Sequence, residues 1–215
     1  MNTYYPIMLD IKEKKCVVIG GGNIAYRKIL SLLESGAKVT VLSTLINEEV
    51  ELLIKNKKIK FVKEKYNFKY IKDCYLVFAA TDDREVNELV YKQCSEKNIL
   101  VNVVDKPEIC NFIVPSKLQK GDLTIAISTN GKSPMLAKKI RQDLEKVYDY
   151  RYELFLDIMS EVRKEAFTII KDGKKRSEFY KAIVYSNFSD RLECEDKNEI
   201  QKEIMDILYE YEKVD

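Results

Sequence analysis

The sequence predicts an α/β fold, with a parallel sheet in its first half and helices in its second. Three observations lead there. Short β-branched runs alternate with amphipathic helical patterns as far as Val104, the rhythm of a sheet covered on both faces. A glycine triplet, Gly20-Gly21-Gly22, joins the first run to the first helical pattern. After Pro134 there is no further proline, and apolar residues recur at helical spacing to the end of the chain.

The strands are expected at Cys16–Gly20, Lys38–Leu42, Lys60–Lys63, Leu76–Ala80 and Leu100–Val104. Between the first two, Ile24, Ile29, Leu32 and Leu33 fall on one helical face and Gly36 supplies the stop. Asn47 can cap the next helix, with Glu48 and Glu49 against its positive end. A later helix, Arg84–Lys97, is expected to bury Val86, Leu89, Val90 and Cys94. Asp105–Lys120, with two prolines, reads as loop and short extended segments, and a first boundary belongs there. Leu123–Ser128 is a further strand. Ser133 can then cap a long helix with Pro134 in its first turn. In the helical remainder, Leu154, Ile158 and Val162 form one apolar stripe and Ile200, Ile204, Ile207 and Leu208 another, while Lys171–Arg176 (KDGKKR) reads as a solvated turn.

Composition narrows the chemistry. The 215 residues carry 37 Lys and Arg against 35 Asp and Glu, and a net charge of +2 gives no reason to expect nucleic acid. No apolar run is long enough for a membrane span, and the N-terminus has no secretory pattern, so a cytoplasmic chain is expected. Five widely spaced cysteines with no C-x-x-C pair favour reduced thiols. There is no histidine, which removes serine–histidine nucleophiles, histidine-ligated zinc and histidine bases. Proton transfer falls to a carboxylate, lysine, tyrosine, cysteine or the substrate.

The most informative motif is VVIGGGNIAYRK, residues 17–28, which matches G-x-G-x-x-A between a buried strand and a helix. Gly20 would make the tight turn, Gly22 would admit a pyrophosphate to the backbone and Ala25 would allow close packing, the plan of a Rossmann-like dinucleotide site. A glycine triplet can also be a structural turn. The acidic residue that usually holds the adenosine ribose at the end of the second strand is absent; Ser43, Thr44 and Leu45 stand there, and no arginine sits beside them for a 2′-phosphate. Asp105 follows the strand ILVNVV at the carboxyl edge of the sheet, where it can accept a proton, or can merely cap a turn; Lys106 beside it could hold it ionised. ISTNGKSP, residues 127–134, looks like a second anion-binding turn built from Ser128, Thr129, Asn130, Lys132 and Ser133, with Lys138, Lys139 and Arg141 following; a solvated helix face would carry the same charges. Cys110 has no partner in sequence for metal or nucleophilic chemistry and reads as a small packed residue.

Together, YPIMLDIKEKKCVVIGGGNIAYRK, VFAATDDREVN, ILVNVVDKPEICNFIVPS and LTIAISTNGKSPMLAKKIRQDLE resemble the precorrin-2 dehydrogenase and siroheme synthase N-terminal family, in register over about residues 4–147. The resemblance implies a Rossmann-like NAD-binding domain over residues 1–113, a small dimerisation segment over 114–147 and a C-terminal helical domain over 148–215. It implies NAD-dependent oxidation of precorrin-2 to sirohydrochlorin by a homodimer, with Asp105 catalytic and no resident metal. Asn23 and Ile24, then Thr44 and Leu45, match its NAD-contacting pairs, and Thr81 and Asp82 lie where the cofactor would pass. Some relatives also insert ferrous iron into the product, so a bifunctional chelatase is an alternative, as is an NAD-binding redox sensor without turnover.

Overall fold

The computed structural model describes residues 4–104 and 106–213, which divide into two compact units, Met1–Val114 and Pro115–Asp215. The first is built on five parallel strands, β1 (Lys15–Ile19), β2 (Lys38–Leu42), β3 (Lys60–Val62), β4 (Leu76–Ala79) and β5 (Leu100–Val103), in the order β3-β2-β1-β4-β5. Three helices connect them: α1 (Asn23–Glu34), α2 (Glu48–Lys55) and α3 (Arg84–Glu96). The order reverses at β1, so the loops after β1 and β4 diverge and leave a crevice at the carboxyl edge.

Strand alternation sends side chains to two cores. Cys16, Val18, Val39, Val41 and Phe78 pack with Ala25, Ile29 and Leu32 of α1 and Val50 of α2. Val17, Ile19, Val77, Ala79, Val101 and Val103 pack on the opposite face with Val90 and Cys94 of α3. Two expected core positions do not join them. Ile24 is exposed at the first turn of α1, and Leu89 is 45% exposed on α3, where the inward position is taken by the amide side chain of Asn87. Both errors come from counting apolar residues at helical spacing without knowing how wide a stripe the sheet covers.

Each expected strand except the second ends one residue early. Gly20, Ala80 and Val104 still donate the last rungs, to Leu42, Ile19 and Ala79 carbonyls at 3.0, 2.8 and 3.0 Å, but then turn away from the sheet. Asn111 seals the β5 edge: its Oδ1 accepts from Val101 N–H at 2.8 Å and its Nδ2 donates to the Ile99 carbonyl at 3.1 Å.

In the second unit β6 (Ser116–Lys120) pairs antiparallel with β7 (Leu123–Ile127), giving the loosely extended stretch before residue 120 a definite strand. There follow α4 (Pro134–Val147), α5 (Tyr150–Ile169), α6 (Gly173–Val184), the short α7 (Phe188–Arg191) and α8 (Lys197–Lys213). Ile158, Val162 and Ala166 meet Phe179, Ile183, Ile200, Ile204 and Leu208 in one apolar core. KDGKKR is not a turn but the start of α6: the Asp172 carboxylate accepts from Lys174 and Lys175 N–H at 2.7 and 2.8 Å, and those bonds hold it below the usual carboxylate range. Reading the stretch by its charge missed the aspartate as a helix cap. Among the described residues no helix is long and apolar enough to cross a membrane.

Candidate functional site

The three glycines do three different jobs. Gly20 has φ +119°, a conformation open in practice to glycine alone, and a Cβ there would lie 2.1 Å from the Ala80 carbonyl oxygen. Its small size therefore lets the first turn touch the loop after β4. A Cβ on Gly21 would lie 2.2 Å from the Leu45 carbonyl oxygen, so this glycine admits the loop after β2. A Cβ on Gly22 would meet nothing within 4 Å. Gly22 thus borders open space, caps α1 without a side chain, and accepts the first helical bond from Tyr26 N–H at 2.9 Å. The amides ahead of Tyr26 are the first-turn donors that a helix cannot satisfy itself, and they carry the positive end of its dipole.

Asparagines tie the loops together. Asn47 donates its backbone N–H to the Gly21 carbonyl at 2.9 Å and its Nδ2 to Asn23 Oδ1 at 2.8 Å, while its Oδ1 caps α2 through Val50 N–H at 3.0 Å. Ser43 Oγ donates to the Leu45 carbonyl at 2.5 Å, shaping the turn where a ribose-binding carboxylate would stand in the generic fingerprint. Thr44 is exposed and Leu45 is 81% exposed. On the other side Asn87, the one buried polar residue among those described, accepts from Thr81 Oγ1–H at 2.8 Å and donates Nδ2 to the Thr81 carbonyl at 2.8 Å. Gly20–Ile24, Ser43–Leu45 and Thr81 are thereby brought to one edge of the sheet, with Asp82 exposed beside them. Replacing Asn87 with Ala takes the amide partner from the Thr81 N–H and carbonyl, and we expect it to cost about 1–3 kcal/mol in urea unfolding while raising KM for the dinucleotide.

Flanking the edge is a cavity of about 460 Å³ between α1 and β4–β5. Ile24, Arg27, Lys28 and Ser31 form its helical wall, and Phe78, Asn102, Val103 and Val104 its sheet wall. The Lys28 ammonium sits 5.3 Å from the Phe78 ring centroid. Burial pushes it below the usual lysine range, and the Arg27 charge acts in the same direction. Cys110 also lines the cavity: its sulfur accepts from Val103 N–H at 3.1 Å, and burial pushes the thiol up, which makes it a poor nucleophile.

Asp105 lies outside the described residues. Its neighbour Lys106 makes an ion pair with Glu88 of α3, which holds that carboxyl below its ordinary range. In the second unit the ISTNGKSP turn is shaped by its own hydroxyls: Ser128 Oγ accepts from Asn130 N–H at 3.1 Å, Thr129 Oγ1 from Ser133 N–H at 3.2 Å and Ser133 Oγ from Leu136 N–H at 3.3 Å. Asn130 and Gly131 take positive φ, and Lys132 is exposed. Of the basic residues that follow, Lys139 and Arg141 pair with Asp143 and Glu145 one turn on.

Residues 7–116 match the family model described as "Putative NAD(P)-binding", and residues 120–146 match that of "Sirohaem biosynthesis protein central". The chain belongs to this NAD(P)-binding family and also carries the central segment of sirohaem-biosynthesis proteins. It is similar to the siroheme synthase of Photobacterium profundum, 31% identical over 95% of this chain and 44% of the relative, and to that of Ruthia magnifica, 38% identical over 80% of this chain and 37% of the relative. It therefore spans less than half the length of these curated relatives. Among solved structures it resembles SirC, precorrin-2 dehydrogenase, with a TM-score of 0.80 and 27% identity over 97% of this chain and all of that one. The NAD(P)-binding model covers the whole glycine-turn edge, and the central model covers β7, ISTNGKSP and all of α4 but its last residue.

Three residues of the NAD(P)-binding unit escaped sequence reasoning. The bond from Asn47 to Asn23 spans 24 positions, so only its capping role had a local signal. Asn87 lay in a helix read for apolar spacing. Lys28 carries no local signal that separates it from any other helical lysine.

Proposed function

We propose that this chain catalyses the NAD-dependent dehydrogenation of precorrin-2 to sirohydrochlorin. The observation that carries the reading is the similarity to SirC over essentially the full length of both chains, joined to a glycine turn left open at Gly22. The edge fits a dinucleotide. The Gly20–Gly22 backbone and the first-turn amides of α1, including those of Asn23 and Ile24, would hold the pyrophosphate. Ser43, Thr44 and Leu45 would border the adenosine end, with no arginine to prefer a 2′-phosphate, and Thr81 with Asp82 would line the far side. NAD, when bound, supplies the hydride acceptor.

Loss of two hydrogens from the macrocycle releases a hydride and a proton. The proton needs its own acceptor, which a carboxylate of the chain, or solvent organised by it, would provide. Asp105 is assigned that role. The Ser128–Ser133 turn, with the Lys132 ammonium, would receive substrate carboxylates. We also assign residues 114–147 to dimerisation. In support, α4 exposes Met135, Leu136, Ile140 and Val147, and an isolated two-stranded hairpin is marginal on its own.

The test is anaerobic incubation with precorrin-2 and NAD. Sirohydrochlorin absorbance is expected to appear in step with NADH, from a protein that sediments as a dimer at the assay concentration. A preparation that binds both compounds yet forms neither product would refute the dehydrogenase assignment.

A further inference from the structure

We propose that the groove on the flank of α1 is a carboxylate-binding subsite, in which Lys28 with Arg27 holds an acidic side arm of the tetrapyrrole; this rests on the dehydrogenase reading above. The argument starts from helix geometry. Ala25, Ile29 and Leu32 turn one stripe of α1 into the sheet, and Ile24, Arg27, Lys28 and Ser31, spaced by three and four, form the adjoining wall of the groove. The Lys28 ammonium therefore enters a half-enclosed space whose described lining contains no carboxylate, with the exposed Arg27 on its rim.

Among the described residues Lys28 has no ion pair and no hydrogen bond; its ammonium has only the Phe78 ring face, 5.3 Å away. A partly buried ammonium is ordinarily paired, because the ring face replaces lost hydration less fully than an anion does. The neighbouring groups cannot serve. Asn102 is a neutral amide held by its own bond to the Phe112 carbonyl and receives no hydrogen bond from Lys28, and Cys110 is kept as the neutral thiol by burial. Among the described residues no anion meets Lys28, and an acidic arm of a bound ligand would supply one.

Position selects which anion. Ile24 belongs both to the first turn behind the glycines and to the groove, while Val103 and Val104 place the groove mouth at the carboxyl end of β5. An anionic arm held there belongs to a molecule reacting at that same edge. Precorrin-2 and sirohydrochlorin, which carry acetate and propionate arms, meet the requirement. At about 460 Å³ the groove also falls within the size range of small-molecule sites.

The test compares wild type, Lys28→Gln and Lys28→Arg in the full chain, titrating sirohydrochlorin by absorbance and NAD by calorimetry, with thermal melts as a fold control. Lys28→Gln is expected to weaken sirohydrochlorin binding about tenfold or more while leaving NAD affinity unchanged, and Lys28→Arg to retain most of it. The gap between wild type and Lys28→Gln should narrow as KCl is raised, which a merely structural lysine would not produce. On wild-type protein, acetylation of Lys28 by acetic anhydride, followed by mass spectrometry, should be slowed by sirohydrochlorin and not by NAD. Equal tetrapyrrole affinity with unprotected Lys28, or a loss confined to NAD, overturns the subsite and leaves the dehydrogenase reading standing. Failure of the wild type itself to bind sirohydrochlorin overturns both.

Discussion

Gly20→Ala and Gly22→Ala, two positions apart, are expected to give opposite phenotypes. In Gly20→Ala the new methyl would lie 2.1 Å from the Ala80 carbonyl oxygen, on a residue whose φ of +119° an L side chain rarely adopts. Backbone cannot step aside as a flexible side chain can, so the loop after β4 must move or the turn must rearrange. We expect a loss of about 4 kcal/mol or more, a large share of a typical domain's stability, read as a steep fall of the urea midpoint. Gly21→Ala should behave alike, since its methyl meets the Leu45 carbonyl oxygen at 2.2 Å and Ile46 Cγ2 at 2.8 Å.

Gly22→Ala has neither problem. Its φ of −90° and ψ of −170° suit any residue, and its methyl points into open space. Losing glycine at the cap of α1 should cost about 1 kcal/mol or less. The methyl would nevertheless occupy the space in which the dinucleotide approaches the first-turn amides, each worth about 1.5–3 kcal/mol to a charged group, so NAD should bind about 10- to 100-fold more weakly. A folded Gly22→Ala protein with wild-type NAD affinity by calorimetry would move the pyrophosphate away from this turn.

That contrast marks how far the sequence could be read. The five strands were legible because short apolar runs rich in valine, such as VVI, VTV and LVFA, have few alternatives once both faces are buried. The glycine motif was legible as a turn, but the division of labour among its members was not. It depends on Ala80 and Leu45, which are 60 and 24 positions away from the glycines they touch and come close only once β1, β2 and β4 align. Asn87 and Lys28 were missed for the same reason, as each acquires meaning from a partner or a space that tertiary structure creates. The early strand ends belong with these cases. Gly20, Ala80 and Val104 look like strand residues because they still bond to it, yet they are where the chain leaves the sheet to build the site. KDGKKR failed differently: the cap signal of Asp172 was local and present, and four basic neighbours hid it.

Asp105→Asn is expected to separate chemistry from binding. The residue follows Val104 in the chain, immediately after the strand end that forms part of the groove mouth, and it is the position in NVVD that the family resemblance marks as catalytic. With histidine absent, Cys110 held as a buried thiol and Lys106 paired with Glu88, the nearby alternatives for a proton acceptor in sequence are few. The asparagine keeps the size and polarity of the side chain while removing its capacity to take a proton. Turnover of precorrin-2 should fall by about 10²- to 10⁴-fold, the range general-base catalysis supplies, with NAD and sirohydrochlorin affinities close to wild type. The pH profile adds a second reading. If Asp105 accepts the proton as the free carboxylate, wild-type kcat/KM should drop as the pH falls through a carboxylate pKa, and the residual rate of Asp105→Asn should lose that limb. An unchanged acid limb in the variant would assign the proton to solvent or to the substrate's own carboxylates, leaving Asp105 at most a positioning role. Loss of NAD binding alongside turnover would place it in the dinucleotide site instead.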